Sequence, residues 1–249
     1  MEAITLHVLF VVFLATLIRS AFGFGEALIA VPLLALRLPI GTAAPLAVLV
    51  SITVAGVVVA QDWREIHFRS AGWLIFSTLF GIPLGLLLLT SSYQKAVKIA
   101  LALLILGYSL YSLLDRKPPV LHRDSRRWLL VCGFCAGILG GAYGMNGPPL
   151  VMYGAMRRWS AQHFRATLQA YFLPASIIGI CGYWLTGLWT STVTHYYLAS
   201  LPVTFAAIFL GRMLNRYLQG GHFLKYVYLG LTVIAITLLA QSVTGQLAW

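Results

Sequence analysis

The feature that most limits what this chain can become is how much of it carries no charge. Ala166 to Gly211 contains no Asp, Glu, Lys or Arg, and neither do 43–60, 71–90, 99–114, 128–156 or 226–249. A helix that crosses a bilayer needs about 20 mainly apolar residues, so the longest run has room for two crossings. Only 9% of the residues are charged, whereas a soluble domain carries roughly 25%. Such a chain cannot cover itself with a polar surface. It reads as an all-α polytopic membrane protein whose first partner is the lipid bilayer.

The net charge of +11 would suggest nucleic acid in a soluble protein. Here the Arg and Lys residues stand at the ends of hydrophobic spans, as the positive-inside rule requires, so no nucleic-acid partner is expected. Met1 to His7 lacks the positive n-region of a signal peptide, and the first apolar segment is expected to stay in the mature protein. Cys132 and Cys135 form a C-x-x-C pair inside a predicted helix, beside Gly133 and Phe134. Small residues packing a helix face explain that pair better than redox or metal chemistry, and no cofactor is expected.

Two segments interrupt the apolar sequence with glycine and proline: Gly23 to Pro32 and Gly140 to Pro149. They align at an offset of 117, Gly23 with Gly140 and Pro32 with Pro149. Backbone that leaves the helix inside a bilayer is tolerated only where protein or a wet cavity satisfies it. Such breaks at matching places in two halves point to a transporter's binding site. The most polar stretch, 115–127, holds five basic residues and a Pro-Pro turn and divides the chain. The expected organisation is a first transmembrane repeat over 1–114, a basic cytoplasmic linker over 115–127 and a second repeat over 128–249. Each repeat has a re-entrant, broken hairpin followed by three transmembrane helices, about eight segments in all.

If the ends of each hairpin lie on one side, each half crosses three times and the second repeat is inverted relative to the first. Thirteen of the seventeen Arg and Lys residues, including all five in 115–127, then face the cytoplasm. Eight complete crossings would instead put the central loop opposite Arg157, Arg158, Arg212, Arg216 and Lys225, against the rule. Hairpins are therefore favoured, in a multi-pass inner-membrane protein with both termini extracytoplasmic.

The two glycine-rich repeats, each closing on a Pro-Leu-like step, together with about 250 residues and a basic middle, resemble the TauE/SafE family of sulfite-exporter-like permeases. The resemblance rests on Gly23-Phe24-Gly25 with Val31-Pro32-Leu33-Leu34. It rests equally on Gly137 and Gly140-Gly141 with Pro148-Pro149-Leu150-Val151, and it covers essentially the whole chain. It implies transport of sulfite, a sulfonate or a related organic anion. The expected protein is a transporter working by alternating access, with the site between the two hairpin tips and a possible homo-oligomer. Glu26 and the stretch from Ala142 to Gly147 depart from the family's small-residue pattern.

An anion site in a membrane needs donors and positive potential. The N-termini of half-helices after Gly25 and after Gly147 would supply both, and Gly23, Gly25, Gly144 and Gly147 would let backbone amides approach a ligand. Asn146 is either an N-cap or a direct ligand, and Tyr143 stands beside it. Arg19 and Glu26 are, apart from His7, the ionisable groups of the first hairpin, and charge at membrane depth is functional by default. Two readings stand for them: a mutual structural ion pair, or Arg19 attracting the anion while Glu26 takes up a coupling proton. Gln169, Tyr171, Ser51 and Thr53 lie in continuous spans, where polar residues line a cavity or bond between helices. Arg165 and His163 are placed at the cytoplasmic interface, and Asp62, Glu65 and His67 in a solvated connector.

An embedded enzyme would need a concentrated set of nucleophile, base or metal ligands. The chain has six acidic residues, no H-E-x-x-H and no G-x-S-x-G. A passive anion channel shares nearly every feature of a transporter and remains the alternative.

Overall fold

The structure, a computed structural model, describes residues 2–89, 94–114, 120–121, 125–143, 146–185, 187–217 and 221–244. The basic segment 115–127 lies largely outside these, as does Gly144. Every regular element among the described residues is a helix: α1 (Glu2–Phe22), α2 (Glu26–Ala35), α3 (Ile40–Asp62), α4 (Phe68–Leu89), α5 (Gln94–Leu113), α6 (Arg126–Tyr143), α7 (Gly147–Met156), α8 (Ala161–Leu185), α9 (Ser191–Tyr217) and α10 (Gly221–Thr244). One 3-10 turn, Trp63–Glu65, follows α3. Among the described residues, four stretches are long and apolar enough to cross a membrane: Ala3–Phe22, Gly41–Glu65, Ala161–Leu185 and Ser191–Tyr217.

The chain forms two compact units, Met1–Phe68 with Ala161–Leu218, and Arg69–Ser160 with Gln219–Trp249. Residues before and after the basic segment contribute to both.

In the first unit, α1 packs along α9, and α3 packs between α8 and α9. Helix α1 stops at Phe22 because Gly23 and Gly25 take left-handed backbone, at φ +85° and +95°, which costs an L side chain about 1–2 kcal/mol. The chain then doubles back. Arg19 and Glu26 form an ion pair near the turn, and His7 Nε2 lies 2.8 Å from the Leu33 carbonyl near the open end. So α1 and α2 are an antiparallel hairpin. Its arms are unequal. At 1.5 Å per residue, the 21 residues of α1 reach about 32 Å, a full bilayer core, and the 10 of α2 about 15 Å.

The interruptions are shorter than the glycine and proline content implies. The first is confined to Gly23-Phe24-Gly25, with Pro32 inside α2. In the second, α6 continues through Gly140-Gly141 to Tyr143 before α7 begins at Gly147. Helix boundaries Phe22, Glu26 and Ala35 correspond to Tyr143, Gly147 and Met156, each pair 121 apart, not the 117 of the residue alignment. Glycine lowers helix stability by only about 1 kcal/mol, so a Gly-Gly pair inside a long helix does not by itself end it.

In the second unit, α4 and α6 meet backbone to backbone. A Cβ on Gly137 would lie 2.8 Å from Gly81 Cα, and one on Gly81 would lie 2.9 Å from Gly137 Cα. Thr78 Oγ1 donates to the Gly133 carbonyl at 2.9 Å. Lipid tails are as apolar as leucine, so helices associate through close packing of small residues rather than by hiding from water. Helix α5 packs on α10, and α7 is wrapped by α5, α6 and α10, with Pro148 to Met156 all buried.

Candidate functional site

The first unit brings a connected set of polar groups to the hairpin tip. Arg19 sits in the last turn of α1, buried at 4% exposure, and Glu26 opens α2 at 5%. Arg19 Nη1 donates to the Glu26 carboxylate and, at 2.6 Å, to Ser51 Oγ. Its Nε and Nη2 both donate to Gln169 Oε1, at 2.9 and 2.7 Å. Gln169 is fully buried and returns its own amide N–H to the Gly23 carbonyl at 3.1 Å. One side chain therefore holds both the guanidinium and the interrupted backbone.

Ser51 lies midway along α3 and pairs with Ser176 on α8 at 2.9 Å. The Phe172 ring lies 5.2 Å from the guanidinium carbon, in range for a cation–π attraction. Gln169, Phe172 and Ser176 recur at helical spacing on one face of α8. Pro174, inside that helix, cannot pair with the carbonyl of Ala170 four residues earlier. The tip thus pairs one buried cation with one buried anion at the middle of α3. It can offer an incoming anion a guanidinium, two hydroxyls and an amide, provided Glu26 releases Arg19 or loses its charge.

Five predicted residues, Arg19, Gly23, Gly25, Glu26 and Gln169, come together here. Gly25 is the N-cap of α2 and caps no amide. The second break belongs to the other unit. Asn146 stands at the N-cap position of α7 but makes no capping bond. The reason is local: a cap accepts from the second or third helical N–H, and those positions are Pro148 and Pro149. Gly147 is the only one of the first three positions with an N–H, so this helix start offers fewer donors than an ordinary half-helix N-terminus. Tyr143 is the last residue of α6.

The family model described as Sulfite exporter TauE/SafE matches residues 8–238, spanning both breaks and both units. The chain belongs to this family. No curated protein and no solved structure matches it. Membership in the TauE/SafE family, with the apolar helices, makes this a multi-pass membrane protein of a transport family.

Other groups of this TauE/SafE chain lie elsewhere than the sequence predicts. Asp62 is not in a solvated connector: it ends α3, is 8% exposed and is held between two arginines. Its Oδ2 lies 2.5 Å from Arg165 Nη1, and its Oδ1 lies 2.8 Å from Arg212 Nη2. Arg165, expected at the interface, is 1% exposed. A carboxylate at a helix C-terminus opposes the helix dipole and calls for a cationic partner, a signal present in the sequence. Nearby, His163 Nδ1 lies 3.1 Å from Glu65, and the His67 and His163 rings are 4.8 Å apart. Among the described residues no group of three or more His, Cys, Asp or Glu is placed to hold a metal ion.

Proposed function

We propose that this TauE/SafE chain carries a small sulfur-containing anion, sulfite or a sulfonate, and binds it at the first hairpin tip. The observation that carries the reading is Arg19: a buried cation beside the middle of α3 whose one carboxylate partner among the described residues is Glu26. While that pair is intact the tip is neutral. An anion entering beside an ionised Glu26 meets repulsion in a medium of low dielectric. A proton on Glu26 removes that repulsion and frees Arg19 Nη1, so substrate and proton occupy the tip together. Gln169 and Ser51 keep the guanidinium aimed in either state. Saturable binding that requires a second ion describes a carrier by alternating access, not a passive channel or an enzyme.

Helix pairing supports the reading of two inverted repeats, 1–114 and 128–249. Exchanging the halves maps α1 to α6, α3 to α8, α4 to α9 and α5 to α10. The pairs α3–α8 and α5–α10 then map onto themselves, and α1–α9 maps onto the glycine-packed pair α4–α6. The positive-inside rule assigns the end of the first unit bearing Arg64, Arg165, Arg212 and Arg216 to the cytoplasm of the inner membrane.

The test is sulfite flux into proteoliposomes of the purified protein, with and without an imposed pH gradient and with unlabelled sulfonates as competitors. Saturable flux that the gradient drives uphill is expected. Flux no greater than in empty liposomes would remove sulfite as the substrate, and flux that never runs uphill would favour a channel.

A further inference from the structure

The Asp62 cluster has more positive charge and more donors than its protein partners use. Arg212 and Arg216 both lie within electrostatic range of Arg165. Asp62 bonds the first two, and the other nearby carboxylate, Glu65, pairs with His163. Three guanidinium groups against one carboxylate leave two positive charges over.

Arg165 shows where that excess is directed. Its Nη1 holds Asp62 at 2.5 Å, while Nε and Nη2 are buried and bond no protein atom. Those two nitrogens form the side-on edge of a guanidinium, whose parallel N–H groups fit two oxygens of one anion. Buried charged donors left unpaired are costly. Arg19 has its corresponding edge filled by Gln169 Oε1. The backbone keeps Arg165 close to the tip: a Cβ on Gly23 would lie 3.0 Å from Arg165 Cα. Gln169 stands one helical turn further along α8.

We propose that Arg165, braced by Asp62, is a second anion subsite, which takes a small oxyanion on its free Nε–Nη2 edge one helical turn from the Arg19 site. An anion leaving Arg19 along α8 would meet it next. That role in transport rests on the function proposed above, whereas binding at Arg165 does not.

The test is calorimetric titration of sulfite into the purified full chain, for the parent, R165K and R19K, with proteoliposome flux measured alongside. Lysine keeps a cation for Asp62 but lacks the two-donor edge. The parent is expected to show two binding events, with R165K weakening one at least tenfold and R19K the other. Unchanged binding in R165K overturns the proposal. Should R165K fold poorly, the parent decides: with 15N-labelled arginine, sulfite must shift the Nε–H resonances of both Arg19 and Arg165, and a shift of Arg19 alone overturns it. Flux with no Arg165 effect removes the subsite and leaves the transporter. Binding that depends on Arg165 without flux does the reverse.

Discussion

Gln169 Oε1 accepts two hydrogen bonds from Arg19, from Nε at 2.9 Å and Nη2 at 2.7 Å, across 150 residues of sequence. Because the same side chain donates to the Gly23 carbonyl, the orientation of the buried cation and the shape of the break are fixed together. Gln169→Glu tests that link. A second carboxylate beside Glu26 would hold Arg19 against any incoming anion, so sulfite flux should fall at least tenfold at neutral pH. Protonation makes glutamate resemble glutamine again, so flux should recover as pH falls. A pH-independent defect, read from initial rates over pH 5 to 8, would point to lost folding instead.

Glu26→Gln separates the two roles open to Glu26. The amide is neutral at every pH, so it mimics the protonated state and carries no proton. Sulfite counterflow between equal pools should persist, while accumulation driven by a pH gradient should vanish. If gradient-driven uptake survives in this variant, the coupling proton rides elsewhere.

Gly23 and Gly25 share left-handed backbone but differ in surroundings. Alanine at Gly25 meets nothing nearer than Ile18 Cγ2 at 3.7 Å, so its cost should be the conformational one, about 1–2 kcal/mol. Alanine at Gly23 adds a contact 3.0 Å from the Arg165 backbone, which cannot give way as a side-chain end would. Melting temperatures in detergent should rank parent, Gly25→Ala, Gly23→Ala in falling order. The reverse ranking would show that the Gly23 approach relaxes freely.

Gly81 and Gly137 make the matching test in the second unit. Alanine at either should reduce folded yield sharply, since each Cβ would meet backbone under 3.0 Å away. Alanine at Gly72, on the same helix as Gly81 with open space around it, should yield as parent. Size-exclusion profiles of the three variants decide this.

Asn146→Ala removes a side chain that caps nothing, so stability should change by less than about 0.5 kcal/mol, against about 1 for loss of a working cap. A fall in sulfite flux without a fall in melting temperature would then assign Asn146 to the substrate.

Much of this was legible before any coordinate. Charge-free runs of spanning length dictate helices in a bilayer, because unpaired backbone is excluded there. Both breaks were legible from glycine and proline, and Arg19 and Glu26 stood out as charges at depth. The position of each break was less so. Whether Gly140-Gly141 ends a helix depends on the packing around it, and α6 runs through both. The prolines at 148 and 149, which carry no N–H, already exclude Asn146 as a working cap from the sequence.

Hydropathy, glycine and proline act over a few residues, so the class of the protein and the local chemistry of its interruptions are written along the chain. Which polar groups meet is set by the packing of the helices. Gln169 reaches Arg19 across 150 residues, and Arg165 reaches Asp62 across 103. In an apolar interior, a buried charge is held by whatever donor or acceptor the packing of distant helices delivers, and spacing along the chain does not record that meeting.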